Sequence, residues 1–125
     1  MGTVVVADDD SVSQRILGYV LGKLGHSVVR AGDGQEALER VAEACPDLIV
    51  LDLAMPRMDG LSTLRRLRAN ERYQAVPIIM LTVSGLERDE RQARAQGVTE
   101  FLTKPYPSGQ LIQMVERLIG RGGLS

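Results

Sequence analysis

The sequence predicts an α/β fold: a doubly wound, five-stranded parallel sheet with helices on both faces. Three observations carry the prediction. Short apolar runs recur without alternation, most clearly Leu48 to Leu51 and Ile78 to Leu81, and such runs are buried on both faces. Each run is followed by a segment with apolar residues at helical spacing, so that strand and helix alternate five times along the chain. The strands also end in polar groups: Asp8-Asp9 after the first, Asp52 closing the third, Thr82 closing the fourth and Lys104 after the fifth. Open parallel sheets hold their sites along that carboxyl edge.

At 125 residues the chain is long enough for one core. Residues 1–120 are expected to form the domain, and the glycine-rich stretch 121–125 a flexible tail or the stub of a linker. Thr3 to Ala7 reads as a buried strand. Asp10 or Ser11 can cap the helix that follows to about Leu24, which Gly25-His26 stops. Ser27 to Ala31 is a short second strand. Gly32-Asp33-Gly34 turns the chain, and Asp33 with Glu36 resembles a capping box for a helix to about Ala44, with Ala37, Leu38, Val41 and Ala42 inward. Pro46 breaks that helix, and the central strand runs from Leu48 to Asp52.

Pro56 and Asp59-Gly60 force a turn before a third helix, whose Leu61, Leu64 and Leu67 share one face. Pro77 to Thr82 is the fourth strand. Ser84 with Glu87 repeats the capping-box pattern for a helix to about Gln96, which Gly97 ends. Thr99 to Thr103 is the last strand, and the last helix turns Leu111, Ile112, Val115, Leu118 and Ile119 inward. His26 is expected in a loop away from the site edge, Cys45 as a small apolar residue at a helix end, and Met55, Met58 and Met80 as packing. Arg88, Arg91 and Arg94 form a solvated helix face.

A net charge of −1 leaves no electrostatic footprint for nucleic acid. Without tryptophan, and with one phenylalanine, there is no platform for stacking bases. No apolar run reaches membrane-spanning length, and Thr3 to Ala7 is too short for the core of a signal peptide. Cys45 stands alone, so no intrachain disulfide forms. The expected setting is the cytoplasm, with no nucleic acid or membrane bound by this domain.

A flavodoxin-like strand order, 2-1-3-4-5, places the first and third strands side by side at the topological switch point. Asp8, Asp9 and Asp52 then converge. Two carboxylates about 4 Å apart repel by roughly 4 kcal/mol at an effective dielectric of about 20, so three call for a counter-cation. An all-oxygen site suits Mg²⁺, which keeps several waters and bridges to phosphate. Lys104 adds an ammonium and Thr82 a hydroxyl. That set favours phosphoryl chemistry with Asp52 as nucleophile or acceptor. Taken singly, the same residues have plainer readings: Asp52 as a turn cap, Lys104 as a surface lysine, Thr82 as a strand-end hydroxyl and Phe101 as half-buried packing.

Taken together, Asp8-Asp9, Asp52 within the run from Leu51 to Gly60, Thr82 and Lys104-Pro105 resemble the receiver domains of two-component response regulators. The resemblance extends over residues 3 to about 120. It implies a signalling module, not a turnover enzyme, that catalyses only its own Mg²⁺-dependent phosphorylation and slow dephosphorylation. Asp52 would accept a phosphoryl group from the phosphohistidine of a sensor histidine kinase or a histidine phosphotransfer protein. Asp9, Asp52 and the Ala54 carbonyl would ligate Mg²⁺ directly, and Asp8 mostly through a bound water. Thr82 and Lys104 would bind phosphoryl oxygens. Phe101 stands at the family's switch aromatic. Its rotation would change the face of the fourth helix, last strand and last helix, the surface offered to a downstream effector, a fused output domain or a second copy. Lys104-Pro105 would be a cis peptide, as only about 5–6% of X-Pro bonds are.

The sequence departs from that pattern twice. Val83 stands where the family usually has a small residue, and its branched side chain would crowd the phosphate approach. Ala54 supplies no polar side chain to position an attacking water, which leaves the lifetime of the phosphoryl group open. Three other classes compete. A phosphohydrolase of the haloacid-dehalogenase kind needs a second carboxylate at the Ala54 position. A nucleotide- or flavin-binding domain wants a glycine-rich first turn, where this chain has Ala7-Asp-Asp-Asp-Ser11. A degenerate receiver acting as a scaffold has Val83 as its one support. On the first helix, Leu17, Val20, Leu21 and Leu24 form the core stripe, while Val12, Ile16 and Tyr19 fall on an adjacent one. That second stripe either widens the core or, as the resemblance implies, docks the kinase's helical bundle.

Overall fold

Five strands and five helices alternate along the chain: β1 (Thr3–Ala7), α1 (Ser11–Lys23), β2 (Ser27–Ala31), α2 (Gly34–Ala44), β3 (Leu48–Asp52), α3 (Gly60–Ala69), β4 (Ile78–Thr82), α4 (Glu87–Ala95), β5 (Glu100–Thr103) and α5 (Ser108–Ile119). The computed structural model describes residues 2–83 and 85–120, so the expectations for Ser84 and for a tail over 121–125 lie outside the described residues. The strands form one parallel sheet in the order β2-β1-β3-β4-β5, the predicted flavodoxin-like arrangement.

Alternation along each strand sorts the core into two layers. Val4 and Val6 of β1, Leu48 and Val50 of β3, and Ile79 and Leu81 of β4 pack against Leu17 and Leu21 of α1 and Leu111, Met114 and Val115 of α5. Val5, Ile49, Leu51, Ile78 and Met80 face the other way, onto Ala37 and Val41 of α2, Leu64 and Leu67 of α3 and Ala93 of α4. Each fully buried leucine in these layers stabilises the fold by about 1.5–3 kcal/mol through lost water contact.

The helix starts follow their capping residues. Asp10 caps α1 by accepting from Val12 N, and Asp59 caps α3 by accepting from Ser62 N at 2.7 Å. Asp33 Oδ1 accepts from Glu36 N at 2.8 Å, but Glu36 Oε1 reaches back to Gly32 N instead of Asp33 N, so the reciprocal half of the box is displaced by one residue. Leu86 occupies the N-cap position of α4, and the capping box expected from Ser84 lies outside the described residues. The first turn of α4 carries Glu87, Asp89 and Glu90, favourably placed at the positive end of the helix dipole.

Several side chains correct the sequence reading. Ala42 is exposed, because the inward arc of α2 is narrow and already filled by Ala37 and Val41, with Leu38 half-buried. Met114 is buried and joins Leu111 and Val115. Cys45 is exposed, in a left-handed conformation (φ 48°) that ends α2. His26 lies, as expected, in the α1–β2 connection away from the site edge, and it is buried there with Nε2 3.1 Å from Gly120 O. A 3₁₀ turn, Glu71–Tyr73, follows α3 and was not foreseen. Arg68 stitches this region together by donating to the carbonyls of Tyr73, Val76 and Gly97.

Gly34 marks the closest approach of α2 to the β3–α3 connection: a Cβ there would overlap the Met58 carbonyl and the Thr63 hydroxyl. Gly22, in the last turn of α1, has open space around it. Gly34→Ala is therefore expected to destabilise the fold by about 1–3 kcal/mol through overpacking, and Gly22→Ala to stabilise it by roughly 0.5–1 kcal/mol through helix propensity. Urea midpoints of the two variants check both signs.

Asp33 yields a pH prediction. The Glu36 amide, and then the Arg57 guanidinium beside it, hold its carboxyl below the usual carboxylate range. A group depressed in the folded state contributes stability above its unfolded pKa of about 3.9 and loses it as pH falls through the lower folded value. Melting curves should show a steeper acid decline for the native chain than for Asp33→Asn, which keeps a capping oxygen but no titrating group.

Candidate functional site

Three parallel ladders continue one residue beyond their strands and fix the candidate residues from the backbone outward. Asp8 N donates to Ala31 O at 3.0 Å, Leu53 N to Leu81 O at 2.8 Å and Lys104 N to Thr82 O at 2.6 Å. Asp8, Asp52 and Thr82 are buried, Asp9 is exposed and Lys104 is half-buried. β1 pairs with β3, placing Ala7 opposite Leu51, so Asp8 and Asp9 emerge beside Asp52.

Carboxylate oxygens of Asp8, Asp9 and Asp52 lie within 4.8 Å of one another. Lys104 Nζ donates to Asp8 Oδ2 at 3.2 Å and to Asp52 Oδ2 at 3.4 Å, with Ser13 Oγ 3.4 Å away. Asp10 N donates to the second oxygen of Asp8 at 2.9 Å, and Ala54 N donates to Asp52 Oδ1 at 3.2 Å. The peptide bond between Lys104 and Pro105 is cis.

Burial acts on the two inner carboxylates with different results. It pushes the Asp52 carboxyl up to about 6, with the charge on Asp8 adding to the rise while Lys104 and the Ala54 amide oppose it. Burial also opposes ionisation of Asp8, but the Asp10 amide, Ser13 and Lys104 outweigh it and bring that carboxyl below its ordinary value. For Lys104, desolvation is overcome by Asp52 and Asp8, which raise its pKa and keep it an ammonium. Asp8 thus keeps its charge at the expense of Asp52.

Three carboxylates against one ammonium leave the ionised cluster doubly negative in a partly desolvated pocket. The donors are all hard oxygens, and Asp9 opens to solvent, so a bound cation would keep waters. These residues fit Mg²⁺ better than a metal that prefers nitrogen or sulfur.

The other predicted residues lie as follows. Phe101 on β5 is half-buried against the α2–α4 layer. Val12, Ile16 and Tyr19 are 59%, 57% and 65% exposed, so this stripe of α1 does not widen the core. A cleft of about 300 Å³ beside it is lined by Ser13, Ile16, Leu17, Val20, Lys104 and Tyr106. Val83, at the rim, is 77% exposed, its branched side chain in solvent. Sequence reasoning missed two polar contributors from α1. Ser13 touches Lys104, and Gln14 Nε2 donates to Ala31 O at 2.7 Å. The signal was present: Ser13 lies four and eight residues before Leu17 and Leu21, so it continues the buried stripe to the end nearest Asp8. Arg57, which pairs with Asp33, was also missed, because nothing in its spacing connects it to α2.

Comparison with known proteins agrees with this arrangement. The family model described as the response regulator receiver domain matches residues 4–116. The DNA-binding dual master transcriptional regulator RpaA of Synechocystis is 33% identical over 97% of this chain, and the chain spans 50% of its length. The chemotaxis protein CheY1 of Helicobacter pylori is 34% identical over 94% of this chain and 96% of its own. Among solved structures, the receiver domain of the sensor histidine kinase PA1611 from Pseudomonas aeruginosa superposes with a TM-score of 0.87 at 31% identity, covering 95% of this chain and 98% of that one. That structure holds a magnesium ion coordinated in the active-site cleft. The fold, the carboxylate edge and these relatives agree: the chain belongs to the receiver domains of two-component response regulators, a family of signalling modules.

Proposed function

We propose that this domain, over residues 1–120, accepts a phosphoryl group on Asp52 from the phosphohistidine of a histidine kinase or a histidine phosphotransfer protein. The observation that carries this reading is the ammonium of Lys104 held between the buried carboxylates of Asp8 and Asp52. An Asp52 oxygen attacks phosphorus as the phosphorus–nitrogen bond of the donor breaks and its electron pair returns to the imidazole. Asp9, Asp52 and the Ala54 carbonyl are the residues that would hold Mg²⁺, with Asp8 acting mostly through water. When bound, the ion offsets the negative charge that otherwise repels the incoming phosphoryl group. Lys104 and Thr82 hold its oxygens. Ala54 offers no carboxylate for turnover, which disfavours the phosphohydrolase reading. The expected location is the cytoplasm, and no described helix is long and apolar enough to cross a membrane.

Phosphorylation adds about −1.5 to −2 charges beside Thr82. The Thr82 side chain then moves toward the phosphoryl group, Phe101 turns inward, and the face made by α4, β5 and α5 changes for a downstream effector, a fused output domain or a second copy. The exposed α1 stripe of Val12, Ile16 and Tyr19 beside the cleft serves to dock the donor.

Two outcomes test the reading. With Mg²⁺ and acetyl phosphate, intact mass should show one added phosphoryl group, and Asp52→Asn should abolish it; undiminished labelling of that variant would remove Asp52 as acceptor. Ile16→Asp and Tyr19→Asp should slow transfer from a cognate phosphohistidine by roughly tenfold or more, the scale of a lost interface anchor, while acetyl phosphate still labels Asp52. Equal loss with both donors would reject the docking role.

A further inference from the structure

The Ala54 carbonyl, as a proposed metal ligand, has no side chain to aim it. Its direction depends entirely on the path of the connection from Leu53 to Asp59. The two ends of that path are pinned: Leu53 N donates to Leu81 O, and Gly60 N donates to Leu53 O at 2.8 Å. Between them Ala54, Pro56, Arg57 and Asp59 are exposed, while Met55 and Met58 are half-buried and Met55 packs against the α2–α4 layer, so burial holds the stretch at Met55 and polar contacts must set the rest of its path.

Arg57 is the exception in this stretch. Its φ is 64°, a left-handed conformation that a long side chain rarely adopts unless other contacts impose it. Its guanidinium grips Asp33 with two nitrogens: Nε donates to Asp33 Oδ2 at 3.0 Å, and Nη2 donates to the same oxygen. The other oxygen of Asp33 is committed to capping α2 through Glu36 N. The anchor is therefore fixed to the start of a helix, and the Gly34 backbone abuts Met58 of the same connection.

We propose that the ion pair between Asp33 and Arg57 is a positioning device for the metal, holding the connection in the conformation that makes the Ala54 carbonyl a ligand and so setting the affinity for Mg²⁺. The inference rests on the Mg²⁺ reading above. Arg57 and Asp33 touch neither the cluster nor the phosphoryl group, and act only through the backbone between Asp52 and Asp59.

Charge and positioning predict opposite signs, which makes the proposal testable. Removing the Arg57 cation raises affinity for another cation if only its field matters. If Arg57 positions Ala54, its loss lowers affinity. The Arg57 side chain is 68% exposed, so the pair is expected to add little to global stability.

The experiment is calorimetric titration of Mg²⁺ into the native chain, Arg57→Ala and Arg57→Lys, with melting temperatures recorded in the absence of Mg²⁺. Arg57→Ala should bind Mg²⁺ roughly tenfold more weakly, at the low end of what outer partners of metal ligands contribute, with its metal-free melting temperature nearly unchanged. Arg57→Lys should recover most of the affinity. If Arg57→Ala fails to fold, Arg57→Gly, unstrained at that φ, carries the same expectation. Unchanged or tighter binding by the variant overturns this inference alone. A metal-free melting temperature that falls with the affinity also overturns it, assigning the pair to general stability. A native chain that binds no Mg²⁺ overturns both this inference and the reading beneath it.

Discussion

The register between β1 and β3 forces like charges together. Ala7 lies opposite Leu51, so the next residues, Asp8 and Asp52, emerge side by side from two buried strands. Neither can withdraw without breaking a ladder whose other members are wholly apolar. Hydrophobic burial across two layers thus supplies the force that holds the carboxylates in an arrangement electrostatics resists. The cost appears in Asp52, whose carboxyl is pushed up to about 6, largely by its own burial.

Lys104 relieves only part of that cost. It reaches both carboxylates from the far side of the sheet, at the end of β5, and its backbone is tied to Thr82 at the end of β4. One cation therefore links three strands at their carboxyl ends. The remaining negative charge is what the proposed divalent cation would offset, and only then could the proposed phosphoryl group approach. A group arriving beside Thr82 and Lys104 would perturb β4 and β5 first, the two strands on the side of the sheet where Phe101 sits.

The helices divide the labour in a way the two-layer core makes possible. α1 needs only Leu17, Leu21 and Leu24 to close its side of the sheet, which leaves Val12, Ile16 and Tyr19 in solvent next to the site. α2 contributes from its first residues. Asp33 caps the helix and at the same time grips the connection that follows Asp52, so one carboxylate joins the start of a helix to the rim of the pocket.

While the strand order 2-1-3-4-5 came only with the flavodoxin-like arrangement and is shown by the structure, the sequence by itself determined the fold class and the polar residues that the strands carry to the carboxyl edge. These follow from features that are local and periodic: unbroken apolar runs, helical spacing, and polar groups placed directly after strands, which topology alone carries to one edge. The burial of His26 and Met114 and the exposure of Cys45 and Ala42 depend on which neighbour fills a given space, and no spacing encodes that. The same holds for Arg57. Its pairing with Asp33 joins residues far apart in the chain through a left-handed backbone conformation that nothing in the pattern Met-Pro-Arg-Met-Asp-Gly requires. Only the packing of α2 against the β3–α3 connection decides it, because the contact exists only once both helices have docked on the sheet.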